Sequence, residues 1–116
     1  MYDRILVPLA LDHEGKHELS LKAAKTLLNP NGKITLLTVI EDIPTYAQAY
    51  MPIEMLQDNS AVALKTLTAL AQSNPSLYET ALVHGKPSVE ILEHANNNGA
   101  ECIVIASHKP GLEDYF

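Results

Sequence analysis

The chain's 116 residues suffice for one domain with a single core, burying about 65% of the surface its unfolded form would expose, and are too few for two. Apolar residues make up 47% and charged residues 19%, near globular averages, which excludes wholesale disorder. The formal net charge is −6 and the Lys and Arg residues are scattered, which argues against nucleic acid as a partner, and no apolar run approaches the roughly 20 residues that cross a bilayer.

Met1-Tyr2-Asp3-Arg4 leads straight into Ile5-Leu6-Val7, without the basic region, long apolar stretch and cleavage site of a secretory signal, so the cytosol is the expected location. The single cysteine, Cys102, agrees with a reducing compartment. Arg4-Ile5-Leu6-Val7-Pro8-Leu9 is a short apolar run ended near a proline, which predicts a first strand buried on both faces. After the polar stretch Asp12 to Lys16, residues Leu19, Ala23 and Leu27, with Ala24 and Leu28, recur at helical spacing; Asn29-Pro30-Asn31-Gly32 is expected to stop that helix.

Lys33 to Ile40 is apolar and rich in β-branched residues, the pattern of a second strand covered on both sides. Residues 42–52 carry Pro44, Pro52, Tyr46 and Tyr50 and read as a long loop. Leu56, Ala63, Leu64, Leu67, Leu70 and Ala71 then mark the longest helix, closed by Ser73-Asn74-Pro75. Tyr78 to His84 predicts a third strand, and Gly85-Lys86-Pro87-Ser88 turns it into a helix with Ser88 as N-cap and Ile91, Leu92 and Ala95 facing inward. Asn96-Asn97-Asn98-Gly99 ends that helix, Glu101 to Ala106 forms a fourth strand, and Ser107 to Gly111 is a turn.

Alternating buried strands and helices predict an α/β fold, a doubly wound parallel sheet with right-handed crossovers. Ligands of such sheets lie beyond the carboxyl ends of the strands, so the positions to watch follow Val7, Val39 and Ile105. No G-x-G-x-x-G or Walker A loop is present, and Gly85-Lys86-Pro87-Ser88 is a turn whose proline lacks an amide that phosphate would use. Any phosphate cradle therefore falls to the amides after the fourth strand.

His13-Glu14-Gly15-Lys16-His17 spells H-E-x-x-H, in which two histidines one helical turn apart bind zinc. That chemistry needs a stable helix and a third ligand, whereas this pentapeptide lies in a strand-to-helix connection and contains a glycine, so a solvated connection is the preferred reading. Cys102, inside an apolar strand, reads as a small hydrophobe, and His84, His94 and His108 are too separated for spacing alone to join them. Tyr46, Tyr50, Met51 and Met55 form either loop packing or an apolar rim for a partner.

Arg4-Ile5-Leu6-Val7-Pro8, Leu36-Leu37-Thr38-Val39-Ile40, Gly85-Lys86-Pro87 and Ile103-Val104-Ile105-Ala106-Ser107-His108-Lys109-Pro110, in that order, resemble the universal stress proteins. The last segment is similar to the bacterial F/G-type subgroup, where A-S-H-[RK]-P replaces G-x-H-G. The resemblance covers nearly the whole chain. It implies a Rossmann-like, adenine nucleotide alpha hydrolase-like sheet of order 3-2-1-4-5 that binds a nucleotide, ATP with or without Mg²⁺, over the ends of the first, second and fourth strands. By position, Pro8, Leu9 and Ala10 would line the base and ribose, Val39 would touch adenine, and Ala106, Ser107, His108 and Lys109 would approach the phosphates, Lys109 adding charge.

The chain departs from the family at three points. Aspartate is usual where Ala10 stands, with Asp12 two residues on; the glycines of G-x-x-G correspond to Ala106 and Lys109; and the sequence ends at Phe116, before the further G-[ST] and the fifth strand that commonly pairs the dimer. The expectation is one universal stress protein domain over residues 1–116, lacking its C-terminal helix and strand and homodimeric when these are present. Its activity would be nucleotide binding with slow or no hydrolysis, since no carboxylate is poised as a general base. The alternatives are a dimeric stress adaptor that binds no nucleotide and a metallohydrolase built on His13, Glu14 and His17.

Overall fold

Strands and helices alternate along the chain in the computed structural model, which describes residues 1–10, 17–41, 45–52 and 60–105. The elements are β1 (Tyr2–Pro8), α1 (His17–Leu27), β2 (Leu28–Ile40), α2 (Thr45–Gln48), α3 (Ser60–Gln72), β3 (Tyr78–His84), α4 (Pro87–Asn97) and β4 (Cys102–Ile103). All described pairings are parallel and the sheet order is β3-β2-β1-β4.

Both faces of this sheet are covered, as the apolar runs require. Ile5, Val7, Leu9, Ile34 and Leu36 point to one side, where they join Ala24 of α1, Leu67 of α3 and Tyr78. Leu6 and Leu37 point to the other, against Ala95 of α4, with Val39, Ala81, Val83, Ile91 and Ile103 around them. Ile5, Leu6, Val7, Ile34, Leu36, Leu37 and Leu67 are fully buried, each contributing about 1.5–3 kcal/mol of transfer free energy. The period of two along each strand thus divides one apolar run between two cores.

The predicted elements need several adjustments. Pairing of β2 with β1 begins at Leu28, so the expected stop at Asn29–Gly32 lies inside the strand as an irregularity: Tyr2 opposes Leu28, Arg4 opposes Lys33, and Asn31 adopts φ 69°. The inward stripe of α1 is His17, Ser20, Ala24 and Leu27, one position away from the predicted Leu19 and Ala23, which are exposed. A four-residue helix, α2, occupies part of the expected loop.

In α4 the N-cap is Lys86, without a side-chain cap bond, and Pro87 opens the helix, since its fixed φ suits the first turn and its missing N–H would have no partner there. Leu92, predicted to face inward, is exposed, while Ile91 and Ala95 pack as expected. Leu64 of α3 is likewise exposed, and Leu56 lies outside the described residues. The end of α4 follows its sequence closely: Ala100 N–H donates to Ala95 O at 3.0 Å across Gly99, whose φ of 69° is left-handed.

β3 has the predicted limits. In β4 only Cys102 and Ile103 are assigned, but Glu101 N–H donates to Arg4 O (2.8 Å) and Val104 N–H to Leu6 O (2.9 Å), extending the ladder on both sides. Ala106 lies outside the described residues.

Candidate functional site at the strand tips

From β1 the chain winds outward through β2 to β3 with α1 and α3 on one face; it then crosses back over the other face through α4 to place β4 on the far side of β1. The winding direction therefore reverses between β1 and β4. Sheets of this kind take their ligands beyond the carboxyl ends of the strands at such a reversal, here beyond β1 and β4.

Four of the eight predicted site residues are described, and the register separates them. Pro8 pairs with Leu37, and Val39 lies two residues further along the same face of the neighbouring strand; both are half-buried on the α4 side. Leu9 faces the opposite way and belongs to the core under α1 and α3. Its main chain is also engaged: Leu9 N–H donates to Leu37 O at 2.7 Å, and the buried Thr38 hydroxyl donates to Leu9 O at 3.2 Å. Ala10 is exposed. Ala106, Ser107, His108 and Lys109 lie outside the described residues, as do His13 and Glu14 of the H-E-x-x-H match. Among the described residues no group of His, Cys, Asp or Glu is arranged to hold a metal ion.

Two positions shape the tips that sequence reasoning did not single out. Thr38 is the only buried threonine among the described residues, and its hydroxyl pins the end of β1 to β2. It read as one more β-branched strand residue; its placement at the end of an apolar run was the available signal. Removing the bond in Thr38→Val leaves the shape nearly unchanged and is expected to lower stability by about 1 kcal/mol, measurable as a shifted urea midpoint at constant slope.

Gly85 is the second. Its N–H donates to Ile40 O at 3.0 Å and so ties the tip of β3 to that of β2, beside Val39. Its φ is 143°, a conformation that L side chains rarely adopt.

At the head of α1, Ser20 Oγ and His17 Nδ1 are buried and have no hydrogen-bond partner among the described residues. Cys102 is half-buried at the edge of the core beneath α1 and α3, as a small hydrophobe would be. Tyr46 and Tyr50 are exposed at 80% and 89%, Met51 is half-buried, and Met55 lies outside the described residues. A concavity lined by Lys25, Leu28, Asn29, Pro30, Asn31, Gly32 and Leu77 sits at the amino ends of β2 and β3, away from these tips. No described helix is long and apolar enough to cross a membrane.

Known proteins share both the sequence pattern and the architecture. Universal stress protein A homolog 2 of Coxiella burnetii is 29% identical over 113 residues, covering 92% of this chain and 76% of that protein. The structure of the hypothetical protein MJ0577 superposes with a TM-score of 0.73 at 22% identity, covering 98% of this chain and 81% of that one. The universal stress protein UspA from Lactobacillus plantarum superposes with a TM-score of 0.71 at 19% identity, covering 95% and 82%. These likenesses place the four parallel strands and their helices in one known fold. The model of the universal stress protein family matches residues 1–116, and the chain belongs to that family.

Proposed function

We propose that this protein binds an adenine nucleotide, ATP with or without Mg²⁺, across the tips of β1, β2 and β4, and turns it over slowly or not at all. The observation that carries this reading is the reversal of winding between β1 and β4, with Pro8 and Val39 on one face of the sheet at the strand tips. A proline ring and a valine make an apolar seat for a flat base, the usual make-up of a nucleotide pocket with a few polar groups at its rim. Leu9 contributes by holding the β1 tip against β2 rather than by its side chain. Ala106, Ser107, His108 and Lys109 take the phosphate end in this proposal. Lys109 supplies the cation, and Mg²⁺, when bound, neutralises phosphate charge. We place the protein in the cytosol, homodimeric when the C-terminal strand is present.

Titration calorimetry of ATP into the protein, with and without Mg²⁺, tests the proposal beside Lys109→Ala. Saturable binding that the substitution weakens about tenfold supports it. Absence of heat at millimolar ATP overturns it and favours the second reading, an adaptor without nucleotide. That reading draws on Ala10, whose side chain offers the strand tips no polar group, and on the exposed Tyr46 and Tyr50.

A further inference from the structure

The chain holds two Asn-Gly dipeptides, Asn31-Gly32 and Asn98-Gly99, and the fold treats them differently. Glycine adds no side chain to shield its amide, so its backbone nitrogen can reach Cγ of the preceding asparagine, a route that bulkier residues obstruct. Sequence alone makes the two sites equivalent.

At Asn98 the structure blocks this route. The side-chain Nδ2 donates to His94 O at 2.9 Å, which turns the amide back over the last turn of α4 and away from Gly99. Asn98 N–H donates to the same oxygen at 3.0 Å, and Ala100 N–H closes the helix end onto Ala95 O at 3.0 Å. Reaction there requires that end to open first.

Asn31 carries none of these restraints. It is exposed near the start of β2, in the irregular step between the pairs Tyr2–Leu28 and Arg4–Lys33, with φ 69°. Regular pairing begins only after it, and its side chain makes no hydrogen bond among the described residues. Asn29, two residues earlier, is held on both sides: its Oδ1 accepts from the N-terminal ammonium and its Nδ2 donates to Asp3 Oδ1 at 3.0 Å.

We propose that Asn31 is a site of spontaneous deamidation in the folded protein, with Asn98 protected. The Gly32 nitrogen, its proton taken by hydroxide, bonds to Asn31 Cγ; the Cγ–Nδ2 bond breaks, and the departing nitrogen takes a proton from water and leaves as ammonia. Water then opens the resulting succinimide at one of its two C–N bonds, giving aspartate or, where the main chain is rerouted through Cγ, isoaspartate at position 31. Either product puts a carboxylate on the concavity that Asn31 lines with Lys25, and the formal net charge of −6 becomes more negative by one. The site lies at the amino ends of the strands, so it stands apart from the nucleotide reading.

The test incubates the folded protein, and the same protein in concentrated urea, at mildly alkaline pH. Conversion at each asparagine is followed by peptide mass mapping, and isoaspartate by enzymatic methyl transfer from S-adenosylmethionine. In the folded protein Asn31 should convert about tenfold faster than Asn98, the advantage of an amide free of the hydrogen bond that holds its counterpart. In urea, where that bond is gone, the two rates should become similar. Asn31→Gln should remove the acidic species that accumulates on ion exchange, and Asn98→Gln should leave it. Equal rates in the folded protein, faster conversion at Asn98, or an Asn31 that reacts in urea but stays intact when folded overturns the proposal.

Discussion

Leu37→Ala is expected to lower the unfolding free energy by about 3 kcal/mol, among the largest effects of any single substitution here. Leu37 is fully buried on the central strand β2, in the smaller of the two cores, where Leu6 and Ala95 are its buried neighbours. Ala95 on α4 is already small, so the helix lies close to the sheet and has little slack with which to fill the space an absent isobutyl group would leave. Part of the cost is lost transfer free energy and the rest is the residual cavity. Urea unfolding should show a lower midpoint at unchanged slope. Leu92→Ala on the same helix is the matched control: Leu92 is 59% exposed, and its removal should change stability by less than about 0.5 kcal/mol. An equal effect of the two substitutions would mean that α4 does not seal the sheet in the way described.

Gly85→Ala is expected to cost about 2 kcal/mol and to disturb the strand tips selectively. Two causes act at this position and they can be separated. A Cβ at residue 85 would stand 2.8 Å from Oε1 and 2.9 Å from Cγ of Glu90, and the backbone φ of 143° is strained for any side chain. Glu90 is long and flexible and can swing away, whereas the backbone is held by the bond from Gly85 N–H to Ile40 O. The double substitution Gly85→Ala with Glu90→Ala should therefore recover only a minor part of the loss. Full recovery would assign the cost to the contact instead. Because Ile40 follows Val39, relaxation of this strain shifts the β2 tip, and ATP affinity should fall along with stability. Such a coupled change is expected where a turn positions a ligand seat.

Much of the architecture could be read from residue order. The uninterrupted apolar runs at Ile5–Val7 and Ile34–Leu37 could be satisfied only by burial on both faces, which dictates helices on both sides and parallel strands. Tyr78–His84 was bounded by punctuation on both sides and took those limits, and Gly99 ended α4 because a left-handed position tolerates glycine. These are local determinants: each is decided within about ten residues by solvation or by backbone sterics.

Facing directions were decided elsewhere. In α1 the candidate stripes centred on Leu19 and on Ser20 differ by one residue, 100° of rotation, and the packing of Ala24 against Ile5 and Ile34 chose the latter, burying a serine and exposing a leucine. Pro8 and Leu9 are adjacent in sequence and alike in polarity, yet the pairing of Pro8 with Leu37 sends one to the α4 face and the other beneath α1 and α3. The sequence by itself determined the elements, their parallel order and the family, because apolar periodicity and turn chemistry are properties of short segments. Tertiary structure alone decided which residues meet at the strand tips, that Thr38 and Gly85 hold those tips together, and that Ser20 and His17 of α1 bury polar atoms without a partner among the described residues. Those facts depend on register and helix rotation, which are set by contacts between segments distant in the chain.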